Sequence, residues 1–154
     1  MQKQAANIDK ILLAYVNDGG TLVCQYNTNS NLITTQIGPY HFTISDKRVT
    51  DEKSPMYCIA PSHTLLNYPN IITEKDFEGW VQERGLYFCS EVDAHYDMPL
   101  NCNDIGEESM GGSLLYCKYG KGNFIYTNLS FFRQLPAGVV GAYRLFANLI
   151  SVGK

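Results

Sequence analysis

Residues 8–25, IDKILLAYVNDGGTLVCQ, decide the fold. Apolar residues recur at helical spacing over 8–16, which predicts an amphipathic helix. Residues 17–20, Asn-Asp-Gly-Gly, tolerate positive φ angles, so the helix should end there. Residues 21–24 then form a short, continuously apolar run, which is typical of a strand buried on both faces. A helix followed by a buried strand predicts an α/β fold.

The segment after this strand is polar and rich in asparagine. Gln25, Tyr26 and Asn27 come directly after the apolar run, so they should lie where the chain leaves the sheet. Their side chains can both donate and accept hydrogen bonds. Ligand sites in open α/β sheets lie at the carboxyl ends of strands. These three residues are therefore candidate ligand-binding residues.

Length and composition narrow the class of protein. A chain of 154 residues and 17.3 kDa is predicted to form a single domain, residues 1–154. With 45% hydrophobic and 18% charged residues, it is unlike a disordered tail or a coiled coil. A formal charge of −3 gives no reason to expect nucleic acid or a membrane as a partner. No apolar run reaches the roughly 20 residues of a membrane span, and the first residues lack a signal-peptide pattern.

The cysteines and histidines argue against metal and disulfide chemistry. Five cysteines are scattered without a CxxC pair, and three histidines lack the spacing of metal ligands. An odd, dispersed set of cysteines in apolar stretches is typical of buried residues in a reducing compartment. The sequence therefore leaves the compartment open but favours the cytoplasm, and it predicts no metal and no cofactor.

The remaining pattern predicts further strands and two more helices. Thr73 and Asp76 form a capping-box variant, which predicts a helix from there to Gly85. Two apolar runs joined by Tyr-Gly-Lys-Gly predict a β-hairpin, and a broad apolar arc predicts a terminal helix. The hairpin strands are predicted at 113–118 and 123–128, the terminal helix at 139–152, and shorter strands at 41–44, 55–60, 86–89 and 99–102.

Four long stretches resemble the C-terminal class I glutamine amidotransferase-like domain of bacterial LmbE-related proteins, which carry a PIG-L deacetylase domain at the N-terminus. Together they cover most of the chain, and they match in order and spacing. The stretches are YVNDGGTLVCQYNTNS (15–30), IGPYHFTISDKRVTDE (37–52), HTLLNYPNIITEKDFEGWVQERGLYF (63–88) and GSLLYCKYGKGNFIYTNLSFFRQLPAGVVGAYRLFANLIS (112–151).

The resemblance implies a flavodoxin-like sheet with helices on both faces and an added β-hairpin. The family domain has further βα units before the helix at YVNDGG, so this chain is expected to lack those units. An apolar strand left without a neighbour invites association, which makes a homo-oligomer through the sheet edge a possible partner state. The deacetylase motif His-Pro-Asp-Asp does not occur in the sequence.

Amidotransferase chemistry is not expected from this sequence. The reaction needs a cysteine on a glycine-flanked strand-to-helix turn and a histidine oriented by a carboxylate. Cys24 lies between Val23 and Gln25, without the glycines, and His63 has Leu65 where the partner glutamate would stand. No catalytic residue is therefore predicted.

Charged and aromatic side chains elsewhere extend the candidate ligand site. Aromatic faces, amides and guanidinium groups are what a carbohydrate or polar-metabolite pocket would use. The alternative is structural: Trp80 fits a core face, and Glu83 and Arg84 suit an ion pair. Besides Gln25, Tyr26 and Asn27, the candidates are Arg48, Asp51, Trp80, Glu83, Arg84 and Arg133, with Phe131 and Phe132 beside Arg133.

Three functions are compatible with these residues. The first is a non-catalytic accessory or docking module for a PIG-L-type deacetylase of amino-sugar conjugates, as the resemblance implies. The second is a module that binds a carbohydrate or polar metabolite. The third is a hydrolase of another class, with Asp51 or Glu83 as general base together with His63, although no spacing supports it.

Overall fold

A computed structural model describes residues 2–32, 34 and 36–154, and the side chains from residue 9 onward within these ranges. Helices and strands are interspersed along the described part of the chain. The helices are α1 (Gln2–Asn17), α2 (Thr64–Asn67), α3 (Phe131–Gln134) and α4 (Val140–Ser151). The strands are β1 (Thr21–Gln25), β2 (Thr43–Ile44), β3 (Met56–Cys58), β4 (Cys89–Ser90), β5 (Leu100–Cys102), β6 (Leu114–Tyr119) and β7 (Gly122–Thr127).

The largest sheet has three strands in the order β1-β7-β6. β1 pairs with β7 in parallel, Thr21 opposite Asn123 and Gln25 opposite Thr127. β6 and β7 form an antiparallel hairpin, which confirms the strands predicted at 113–118 and 123–128. The fold is therefore mixed α/β, with a mixed sheet and helices.

Helices cover both faces of this sheet. Side chains alternate across β7, so Phe124 and Tyr126 pack in the cluster that contains Val16 of α1. Ile125 faces the other way, into the cluster that contains Leu145 and Leu149 of α4. Because all six residues of β7 are buried, this strand is the centre of the core.

β1 is an edge strand, and its two faces are covered less completely than the prediction of a strand buried on both faces implies. Its first four residues are only partly buried and Gln25 is exposed. Leu22 and Cys24 pack on the α1 side, and Val23 packs on the α4 side. The apolar run thus has helices on both faces, while its outer edge has no strand among the described residues.

The prediction of a helix from Thr73 to Gly85 is wrong beyond the first turn. The capping box between Thr73 and Asp76 is present, but only a 3-10 turn follows, Glu74–Phe77. Gly79 and Gln82 have φ angles of +73° and +66°, which no right-handed helix accommodates. The capping box therefore starts a helix that the next residues end.

The strand predicted at 86–89 is also shorter than expected. Tyr87 has a φ angle of +60°, so pairing is confined to β4, where Cys89 and Ser90 face β2. β3 and β5 form a second two-stranded antiparallel ribbon. These ribbons lie outside the main sheet. The terminal helix predicted at 139–152 is confirmed as α4.

Candidate ligand-binding site at the carboxyl end of β1

Tyr26 follows β1 and starts an aromatic cluster. Its backbone has a φ angle of +46°, a left-handed conformation that costs a non-glycine residue about 1–2 kcal/mol. The Tyr26 ring meets the ring of Phe132 edge-on, with centroids 4.6 Å apart, and the ring of Tyr87 at 6.3 Å. Phe132 is 48% exposed, so the cluster presents an aromatic surface to solvent.

An ion pair joins this aromatic surface. Arg133 Nε lies 2.9 Å from Glu83 Oε1, and the Arg133 guanidinium carbon lies 4.9 Å from the centre of the Phe132 ring. The Glu83 side chain is only 12% exposed, whereas that of Arg133 is 35% exposed. Within the described contacts Arg133 uses only Nε, so the other guanidinium N–H groups are available to a ligand.

Asn128, directly after β7, holds the backbone of this site. Its Oδ1 accepts hydrogen bonds from Asn27 N at 3.1 Å and from the Tyr126 hydroxyl at 3.1 Å. Its Nδ2 donates to the Tyr87 carbonyl oxygen. Because Asn128 is fully buried, one side chain fixes the loop after β1 and the segment at Tyr87 together.

The surroundings of Tyr26 keep its phenol protonated. Burial raises the pKa of Tyr26, the nearby Glu83 and Tyr87 raise it further, and Arg133 lowers it. The net direction is upward, so the hydroxyl is neutral at physiological pH. A neutral phenol can donate one hydrogen bond and accept others, as recognition of an uncharged polar ligand requires.

Three of the predicted site residues meet here. Tyr26, Glu83 and Arg133 come from separate stretches of the sequence and form one cluster. Gln25 lies beside it at the exposed end of β1. Asn27 is tied to the cluster through its backbone, by the bond to Asn128.

No contact among the described residues joins the side chains of Arg48 and Asp51 to this cluster. Both residues are exposed. The Asp51 carboxylate accepts a hydrogen bond from Lys53 N at 2.8 Å, and Asp51 N donates to Asp104 Oδ1 at 3.0 Å. Asp51 thus serves the local turn at 50–54 in the contacts described.

Trp80 and Arg84 require a correction, because both are buried structural residues. Trp80 is 2% exposed, and its Nε1 donates to the Asp76 carbonyl at 3.1 Å. Arg84 is 5% exposed and donates to the carbonyl oxygens of Ser54 and Phe77. Burial lowers the pKa of Arg84, so these carbonyls compensate for a desolvated cation. Neither side chain is placed to contact a ligand directly.

Two residues of the site were not anticipated from the sequence. Tyr87 lies in the strand predicted at 86–89, and Asn128 is the last residue of the hairpin strand predicted at 123–128. The signal for Asn128 was a polar residue closing a run of buried positions, since such a residue usually has a specific hydrogen-bond partner. Nothing in the sequence pattern indicated the left-handed backbone of Tyr87.

Cys24 and His63 cannot form a catalytic pair in this arrangement. Cys24 faces the α1 side of the sheet, whereas His63 lies against the ring of Tyr116, which packs on the α4 side. Burial, with a smaller contribution from Asp9, raises the pKa of the Cys24 thiol to about 11. His63 accepts a hydrogen bond from Leu65 N and lies 3.3 Å from Asp97, as expected of a helix-capping residue.

All five cysteines are free thiols. No group of three or more metal-binding side chains occurs among the described residues. Within the same residues, no helix has the length and apolar character needed to cross a bilayer. Comparison of the chain with protein-family models, curated proteins and solved structures gives no match.

Proposed function

We propose that this chain is a non-catalytic recognition module that binds a carbohydrate or a similar polar metabolite at the carboxyl end of β1. The observation that carries the proposal is the meeting of Tyr26, Phe132, Glu83 and Arg133. An exposed aromatic ring can pack on the apolar face of a sugar. The carboxylate and guanidinium beside it can accept from and donate to hydroxyl groups.

The backbone supports a binding role rather than a purely structural one. Tyr26 and Tyr87 both hold left-handed conformations, and their rings lie in the same cluster. Strained residues of this kind tend to occur at ligand sites, where the surrounding structure fixes them. Here Asn128 supplies that fixation through the two segments it joins.

The finer assignment of fold and family rests on the resemblance of the sequence. We propose that the sheet is of the flavodoxin-like, class I glutamine amidotransferase-like type, and that the module acts beside a PIG-L-type deacetylase. Such a deacetylase would act on amino-sugar conjugates. Glycans containing glucosamine and N-acetylglucosamine are therefore the first probes to use.

The binding test compares two arginines in similar ion pairs. We expect the native chain to bind members of a glucosamine and N-acetylglucosamine glycan panel in calorimetric titration. Arg133→Ala and Phe132→Ala should each weaken this binding at least about tenfold, which corresponds to about 1.4 kcal/mol. Arg133→Ala removes the guanidinium hydrogen-bond donors, and Phe132→Ala removes the exposed aromatic ring.

Arg144→Ala is the matched control for Arg133→Ala. Arg144 Nε lies 2.7 Å from Asp76 Oδ1, and the two side chains are 40% and 12% exposed, close to the values of the Arg133 pair. This control should bind the glycans as the native chain does. No binding by the native chain, or equal losses in the two arginine variants, would contradict the proposal.

The non-catalytic part of the proposal predicts an unreactive Cys24. Its pKa is raised from the ordinary 9.0 to about 11, so the thiolate fraction at neutral pH is lower by about a hundredfold. Iodoacetamide should therefore modify Cys24 about a hundredfold more slowly in the native chain than in the urea-unfolded chain. Mass spectrometry of the labelled peptides measures both rates. Rapid native labelling, or glutamine hydrolysis that Cys24→Ser abolishes, would show a nucleophile after all.

A further inference from the structure

Among the described residues, no strand pairs with the outer edge of β1. Two hydrogen bonds fix which groups of β1 face β7: Asn123 N donates to Gly20 O, and Tyr26 N donates to Thr127 O. In a parallel pair this pattern repeats every second residue, so Thr21, Val23 and Gln25 direct their N–H and C=O groups outward. The strand TLVCQ contains no charge and no proline, the usual protections of an exposed edge.

Apolar side chains extend this edge on both helical layers. Tyr15 of α1 and Ile150 of α4 line this edge and are 55% and 45% exposed. Ile11, one turn before Tyr15, and Tyr143, two turns before Ile150, lie on the same helix faces and are 67% and 51% exposed. A groove of about 330 Å³ runs along the edge, where Tyr15 from one layer and Ile150 from the other meet Thr21 and Val23, and Lys154 also lines it. The surface made of these side chains and the outer edge of β1 is termed the β1-edge surface.

We propose that the β1-edge surface is the interface of a two-fold symmetric dimer of this chain. The three outward-facing residues are self-complementary when two β1 strands pair antiparallel about Val23. Val23 then lies opposite Val23 of the second copy, and Thr21 lies opposite Gln25 of the second copy. All the outward N–H and C=O groups of these residues find partners, and the sheets of two copies become continuous.

The same two-fold axis also covers the apolar side chains. It is perpendicular to the sheet, so it brings α1 against α1 on one face and α4 against α4 on the other. A whole aromatic side chain presents roughly 150–250 Å², so the half-exposed Tyr15 and Tyr143 together contribute about 150–250 Å² per copy. The outer edge of β1 and the two isoleucines supply the rest of a contact that is smaller than the roughly 800 Å² per partner of a standard interface. The interface includes Gln25, which lies beside the ligand site, but none of the four side chains that form the aromatic and ion-pair cluster there.

A matched pair of isoleucine variants tests this interface. Analytical ultracentrifugation at micromolar to sub-millimolar concentrations should show a dimer for the native chain. Ile11→Glu should weaken dimerisation at least about tenfold, because it buries a carboxylate in the interface. Ile105→Glu changes a residue that is 80% exposed and lies outside the surface, so it should dimerise as the native chain does. A monomeric native chain, or equal behaviour of the two variants, would overturn the proposal.

Disulfide trapping tests the register. Directly opposed residues of a hydrogen-bonded antiparallel pair have Cα atoms about 5.5 Å apart, within reach of a disulfide. With diamide as the oxidant, two Val23→Cys thiols should lose their protons and two electrons to form one bond between the copies. Peptide mapping should find residue 23 linked to residue 23, and Ile105→Cys should give no such dimer. A dimer that Val23→Cys fails to link would overturn the proposed pairing.

Discussion

Replacing Asn128 with alanine is expected to lower the free energy of unfolding by about 3 kcal/mol. The substitution removes the acceptor of Asn27 N–H and of the Tyr126 hydroxyl, and the donor to the Tyr87 carbonyl. A buried polar group left without a partner costs about 1–3 kcal/mol, and water entering the space offsets part of the sum. Urea unfolding followed by circular dichroism measures the change.

Asn67→Ala provides the control for this substitution. Asn67 is exposed at the end of α2, where alanine is well tolerated, so the change should stay within about 0.5 kcal/mol. In Asn128→Ala the left-handed segments at Tyr26 and Tyr87 also lose their common anchor. Glycan binding should therefore weaken under conditions where the variant is still folded. Native stability together with native binding would show that Asn128 does not hold the site.

The sequence best predicts the helices and strands that have a clear apolar pattern. The hairpin, α4 and β1 were found within a few residues, because apolar spacing and glycine-rich turns report local structure directly. The convergence of Tyr26 with Arg133 was anticipated only as a hypothesis. Their meeting depends on the parallel pairing of β1 with β7, which joins residues about a hundred positions apart.

The failures of prediction share a physical cause in the backbone. Gln82 and Tyr87 adopt positive φ angles that their residue types disfavour. The local sequence therefore does not indicate these backbone conformations. Hydrogen bonds from distant parts of the sequence hold the adjacent backbone in place, such as those between the Gln134 side chain and the Val81 backbone. The resulting bends end the predicted helix, keep the segment at 86–89 from forming a longer strand, and allow Glu83 to reach Arg133. The backbone bends that the sequence pattern does not predict are therefore the ones that position the residues of the candidate site.

Trp80→Ala is expected to lower the free energy of unfolding by about 3–5 kcal/mol, the usual cost of removing a large aromatic side chain from a core. Trp80 packs against Phe77 and Phe131, with ring centroids 5.4 and 5.8 Å away, and its indole N–H is already bonded to Asp76 O. Thermal and urea unfolding measure the loss. Phe132→Ala should cost only about 1–1.5 kcal/mol, because that ring is half exposed.

The two aromatic residues thus separate stability from recognition. Trp80→Phe keeps a ring in the core, so it should bind glycans as the native chain does, although it is less stable. Phe132→Ala should show the opposite pattern, with modest loss of stability and at least tenfold weaker binding. If Trp80→Phe abolished binding in a folded chain, the ligand would contact the residues around Trp80, and the site would have to be moved from the carboxyl end of β1 toward the α4 side of the core.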